Sequence, residues 1–129
     1  MRMAFRLAPT ASPVRARPVK NRDYLAFVHL LPCVLSLTRP VEAAHISFAR
    51  PDLGHYGRGK GTKTSDRWVL PLSPAYHRIQ HGMNEQRFWQ TSNVDPHQLC
   101  LVLWGLFSEH GWDAEEMCRD IIWNRQQRL

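Results

Sequence analysis

The chain contains no apolar run approaching the roughly 18 residues that a membrane-spanning helix requires. Cysteine is scarce. Cys33, Cys100 and Cys118 form an odd set with no CxxC pair, which excludes a disulfide framework and fits a reducing compartment. Acid is missing from one end: residues 1–22 carry six Lys/Arg (Arg2, Arg6, Arg15, Arg17, Lys20, Arg22) and no Asp or Glu. The net charge of +6 therefore sits in that stretch, since the remainder holds eleven residues of each sign. There is no internal repeat and no low-complexity tract. Residues 1–21 also carry Pro9, Pro13 and Pro18, which interrupt any long amphipathic helix. They read as a basic disordered arm, with an organelle transit peptide as the alternative; the continuous apolar core of a secretory signal is lacking.

What is present is enough for one domain. The 129 residues are 43% hydrophobic and include five Trp. Asn21 or Asp23 caps a predicted helix running to about Leu31, with Tyr24, Leu25, Phe27, Val28 and Leu31 on one face and Pro32 as its stop. Val41 to Phe48 reads as a first strand and Asp66 to Leu72 as a second, stopped by Pro71. Ala49 to Ser65 reads as a long loop. Ser73-Pro74 starts a helix through Gln80, with Gly82 near its end. Asn84 caps a short helix with Phe88 and Trp89. Asp95-Pro96 starts a helix to about His110, with Leu99, Leu103, Leu106 and Phe107 inward. Gly111 stops it, and Asp113 caps a last helix in which Met117, Ile121 and Ile122 pack. The expected fold class is α+β: a hairpin plus helix, flanked by an N-terminal helix and C-terminal helices. Residues 22–110 form the domain, and 111–129 a helix packed on it.

The chemistry concentrates between Glu42 and His81. His77 and His81 lie one helical turn apart, so both imidazoles share a face and can bind one divalent ion, or simply line a solvated face. His45 on the first strand shares the face of Ala43, while Ile46 points to the core side. It fits a base that activates water, or a structural histidine. The loop offers Gly54, Gly57, Gly59 and Gly61 together with Arg50, Arg58, Lys60 and Lys63, a combination suited to phosphates but also to a mobile surface loop. His55 and Tyr56 within it are expected to face solvent, with contact to a base or a metal as the alternative. Asp66 can orient His45, ligate a metal or cap a turn. Trp68 and Trp89 are expected in the core.

The run EAAHI…G…K..D.W.LPL….H…QH…..FW….DP..L…LW resembles the HNH endonucleases of the ββα-metal class, in particular a phage and prophage branch related to the recombination-enhancement nucleases. The likeness extends upstream through Arg22-Asp23, Tyr24-Leu25-Ala26 and Leu31-Pro32-Cys33, and covers about Arg22 to Trp104. It implies that His45 is the general base, that His77 and His81 are metal ligands, and that Asp66 lies near the family's middle motif residue, with Lys63 as a preceding basic residue. Related sequences commonly carry a zinc knuckle built from two Cys/His pairs. Here those positions are Cys33 with Ser36, and Ser73 with Tyr76, so no structural zinc is expected and Cys33 is a lone remnant. Ala44 stands where many such proteins have a further metal ligand.

The resemblance thus implies a metal-dependent DNA endonuclease using Mg²⁺, Mn²⁺ or Zn²⁺, of little sequence specificity, with DNA and a recombination protein as partners and no membrane. The implied location is the cytoplasm of a bacterium or a phage-infected host. The alternatives are an inactive HNH-derived nucleic-acid-binding module and an interaction protein in phage recombination.

Overall fold

The computed structural model describes residues 21–57 and 64–127. The N-terminal arm lies outside these residues, as do Arg58, Gly59, Lys60, Gly61 and Lys63 of the central loop. The fold is α+β: α1 (Arg22–Val28), β1 (Glu42–His45), β2 (Val69–Leu72), α2 (Pro74–His81), α3 (Glu85–Thr91), α4 (Pro96–His110) and α5 (Glu115–Gln127), with 3-10 turns at Pro51–Leu53 and Gly111–Ala114.

Local capping chemistry fixes most helix starts. The side chains of Asn21, Ser73, Asn84 and Asp95 accept from the backbone N–H groups of Tyr24, Tyr76, Arg87 and Gln98, each satisfying a donor that the first turn leaves free. Pro74 and Pro96 occupy the first helical positions, where a missing N–H costs nothing. Helix α1 ends sooner than its apolar periodicity predicts. After Val28 the chain tightens into shorter bonds, Leu30 N–H to Phe27 C=O and Leu31 N–H to Val28 C=O, because the residue before Pro32 cannot stay helical.

The two strands pair antiparallel, with Glu42 opposite Leu72, Ala43 opposite Pro71, Ala44 opposite Leu70 and His45 opposite Val69. Both strands are shorter than predicted. Asp66 and Arg67 are the central residues of a turn closed by Trp68 N–H to Ser65 C=O at 3.0 Å, so β2 begins only at Val69. Pro71 lies inside β2 and does not stop it. Ile46 N–H bonds to Trp68 C=O at 2.8 Å, and by the antiparallel alternation Ala43 and Pro71 then form a non-hydrogen-bonded pair. Proline loses no ladder bond there.

All four residues of β2 are buried, so that strand is covered on both sides, whereas on β1 only Ala44 is buried and Glu42 is exposed. The core gathers Phe27, Val28 and Leu31 from α1, Ala44 and Ile46 along the first strand, Leu70 and Leu72, Phe88 and Trp89, Leu99 and Leu103, and Ile122. Burying one such aliphatic or aromatic side chain contributes about 1.5–3 kcal/mol. Trp68 and Trp89 are buried as expected, and Leu106, Phe107 and Ile121 pack against the core more loosely. The last helix departs from prediction at its start and in its register. The chain passes through the 3-10 turn Gly111–Ala114 directly into α5, and Gly111 takes the positive φ of 61° that this turn requires. Met117 is exposed; Cys118 and Ile122 face inward instead. No described helix is long and apolar enough to cross a membrane.

Candidate functional site

His45 and Asp66 meet. His45 Nε2 lies 2.9 Å from Asp66 Oδ1, and since a carboxylate only accepts, Nε2 is the protonated nitrogen. The second carboxylate oxygen, Oδ2, accepts the backbone N–H of Asn21 at 2.9 Å. Asn21 in turn caps α1 through its side chain. The ring is therefore held through a chain of bonds from α1 to the turn before β2, with Nδ1 left to accept a proton. His45 is 39% exposed and Asp66 15%, so the ring is open to solvent while its partner is mostly covered.

His77 and His81 also meet, one helical turn apart on α2. Their rings lie 4.7 Å centroid to centroid, and the two Nε2 atoms are 3.1 Å apart. His77 Nδ1 donates to Glu42 Oε1 at 2.7 Å. That bond fixes the tautomer: Nε2 of His77 carries the lone pair, and His81 Nε2–H points at it. Two imidazole nitrogens at about 2.0–2.1 Å from one cation, at tetrahedral to octahedral angles, stand roughly 2.8–3.4 Å apart. The N–H···N bond already holds the two nitrogens at such a separation, and a cation would take its place once the His81 proton moves to Nδ1; the carboxylate behind His77 is the usual outer partner of a ligating imidazole. Glu42 was not singled out from sequence. Its position on β1, opposite Leu72 and therefore beside the start of α2, is what brings it to His77. Ala44, also on β1, is fully buried and offers no ligand. Among the described residues no group of three or more His, Cys, Asp or Glu is placed to hold a metal together.

The dyad and the pair are distinct clusters joined through β1 and Gln80. The Gln80 side chain is buried between His77 and His81 in sequence; its Nε2 lies 3.5 Å from the His45 carbonyl oxygen and donates to Glu85 at 2.9 Å. Both Glu85 oxygens accept from Ser47 N–H at 3.1 Å. Burial pushes the Glu85 carboxyl above its usual range, against the opposing pull of these hydrogen bonds and of nearby His81. Glu85 thereby clamps the chain just past His45 to the start of α3.

One expectation for the central loop fails. His55 does not face solvent: it is 2% exposed, packs tilted against Trp68 and edge-to-face with His97, donates Nε2–H to Ile46 C=O at 2.6 Å, and accepts Gly57 N–H on Nδ1 at 2.9 Å. His97, fully buried, donates Nε2–H to Phe48 C=O at 2.7 Å. These two rings satisfy carbonyls that the chain releases on leaving β1, which is why they are inside. Desolvation lowers the pKa of both. Tyr56 does face solvent, at 80% exposure. Arg50, the one basic loop candidate among the described residues, is already engaged. Its guanidinium is engaged by Asp52 at 3.0 Å and Asp95 at 3.2 Å, tying the loop to the cap of α4, so its charge is already balanced.

The three cysteines are free and buried. Burial raises the Cys33 thiol pKa, yet hydrogen bonds from the Ser36 side chain and from the N–H groups of Ser36, Ser73 and Leu35 together outweigh it, and the net shift is downward. Cys33, Ser36 and Ser73 are thus neighbours, with one sulfur among them. Compared with known proteins, the chain matches no family model, no curated protein and no solved structure.

Proposed function

We propose that the chain is a metal-dependent endonuclease that hydrolyses phosphodiester bonds in DNA. The observation that carries this reading is the His45–Asp66 hydrogen bond at 2.9 Å, which leaves Nδ1 of a solvent-open ring as a base. In the proposed reaction His45 Nδ1 takes a proton from water. The water oxygen bonds to phosphorus, the P–O bond to the leaving oxygen breaks, and the imidazolium that forms faces Asp66 through Nε2–H. Asp66 keeps the ring from rotating and stabilises its charged form. His77 and His81 would hold a divalent cation, which when bound supplies positive charge for the developing negative charge on phosphate oxygens. Glu42 orients His77 by accepting from Nδ1. The basic loop residues Arg58, Lys60 and Lys63 supply charge for the DNA backbone.

The test is plasmid nicking by the purified protein in EDTA, Mg²⁺, Mn²⁺, Ni²⁺ or Zn²⁺, beside the His45→Ala variant. Metal-dependent nicking that disappears in the variant supports the reading. Equal nicking by the variant removes His45 from the role, and bound but intact DNA in every metal replaces the enzyme with a binding module.

A further inference from the structure

The turn that delivers Asp66 to His45 has a second central residue, Arg67, and its surroundings are unusual. Arg67 Nε is shut off from water and has no hydrogen-bond partner. Arg67 takes part in none of the ion pairs among the described residues, which instead engage Arg50 and Arg119. Residues 1–20 and 58–63 contain no Asp or Glu, so the chain outside the described residues brings no acidic side chain to it. The buried Trp68 ring lies 5.7 Å from the guanidinium carbon, and His55 is near enough to feel its charge; neither is an anion. In the same segment Thr64 Oγ1 is likewise buried without a partner. A buried donor without an acceptor is unfavourable. Here two donors of one short segment lack the same thing.

We propose that Thr64 and Arg67 form an oxyanion subsite that takes a backbone phosphate of DNA beside His45 and Asp66. This rests on the endonuclease reading and names where that substrate is gripped. A guanidinium presents a planar fork that matches two phosphate oxygens, and a hydroxyl complements a third. The six residues before Thr64 include Arg58, Lys60 and Lys63 and no acid. That favours a chain of phosphates over a single free ion. The arrangement also gives Asp66-Arg67 a division of labour: the first side chain sets the base, the second sets the phosphate that the base works on.

The test is binding of a short fluorescein-labelled duplex by anisotropy, in EDTA so that nothing is cut, across a salt series. Removing one phosphate contact lowers the slope of log affinity against log salt by about one. Arg67→Gln is expected to weaken binding about tenfold with that change in slope. Arg67→Lys keeps the slope but recovers only part of the affinity, because an ammonium lacks the fork. Thr64→Val weakens binding by a smaller factor at unchanged slope. Arg119→Gln, whose partner is Glu115, leaves binding as it was. Urea melts confirm that each variant is folded; if Arg67→Gln is not, the lysine and valine variants decide by slope and affinity. Unchanged affinity and slope in Arg67→Gln overturns the subsite. Inorganic phosphate provides the second arm: if Arg67→Gln abolishes phosphate binding while duplex binding stays intact, the site serves a free ion and the backbone assignment is wrong. Because no cleavage is measured, these outcomes stand apart from the nicking test.

Discussion

His77 and His81 differ from His55 and His97 in almost everything except residue type. The first pair stands on the outer side of α2, half-buried and exposed, with a carboxylate behind one ring and the two Nε2 atoms turned toward each other. The second pair is sealed, with each Nε2–H spent on a main-chain carbonyl just beyond β1. A histidine on the surface keeps a nitrogen in reserve for a proton or a cation. A histidine in the interior has committed its donor, and desolvation keeps its ring neutral. On the proposed reading the first pair serves the chemistry, while the second is spent on the fold.

The largest effect belongs to another solvent-open ring. His45→Ala is expected to reduce nicking by a factor on the order of 10²–10⁴, the usual contribution of a positioned base, with little change in a urea melt. If the melt moves as much as the activity, His45 is a structural residue like His55. Next in size is stability. His97→Ala strands the Phe48 carbonyl and opens a cavity, and is expected to cost about 2–4 kcal/mol. His81→Ala is expected within about 0.5 kcal/mol of wild type. Equal losses by denaturant titration would erase the contrast.

A smaller effect is expected one bond behind the surface pair. Glu42→Gln should weaken Ni²⁺ or Zn²⁺ binding by calorimetry about 10–100-fold, the range for losing an outer partner of a ligating imidazole, while His77→Ala should abolish it. Full affinity in the glutamine variant would show that the carboxylate does not orient the ring. The smallest expected effect is the pH dependence of stability. His55 and His97 have folded pKa values below their ordinary 6.5. The unfolded chain therefore binds more protons between the folded values and 6.5. Their contribution is complete above pH 6.5, declines as pH falls through that window, and levels off below it. Glu85, raised above its ordinary 4.5, acts in the opposite sense from its folded value down to 4.5. His97→Ala should flatten the decline in melts between pH 7 and 5, and a decline of unchanged steepness would place its source elsewhere.

How much of this was legible in the sequence depends on the range of the interaction. The helix starts at Asn21, Ser73-Pro74, Asn84 and Asp95-Pro96 were readable because each is settled within a few residues by a cap and a proline. The meeting of His77 with His81 was readable for the same reason. The burial of His55 was not. It depends on Trp68 and on His97, which reaches the loop from α4, and a glycine-rich neighbourhood gave the contrary signal. Glu42 was missed because its partner lies 35 residues away. Asp66 was weighed as an orienting residue for His45, yet nothing in the sequence pointed to Asn21 as the group behind it. In α5, Met117 and Cys118 are both apolar neighbours, and only the docking of the helix decides which faces inward.

The register of Pro71 has a consequence for solubility. A two-stranded sheet has two open rims, and an open rim invites another chain to add a strand. On the outer rim of β2 proline presents no N–H, and its carbonyl is already taken by Val34 N–H at 3.1 Å. The neighbouring outward carbonyl, at Val69, is met by the Cys100 thiol at 3.4 Å. An incoming strand would find one donor absent and two acceptors occupied. That rim is closed to self-assembly by local chemistry, without the charged side chains that usually guard such edges.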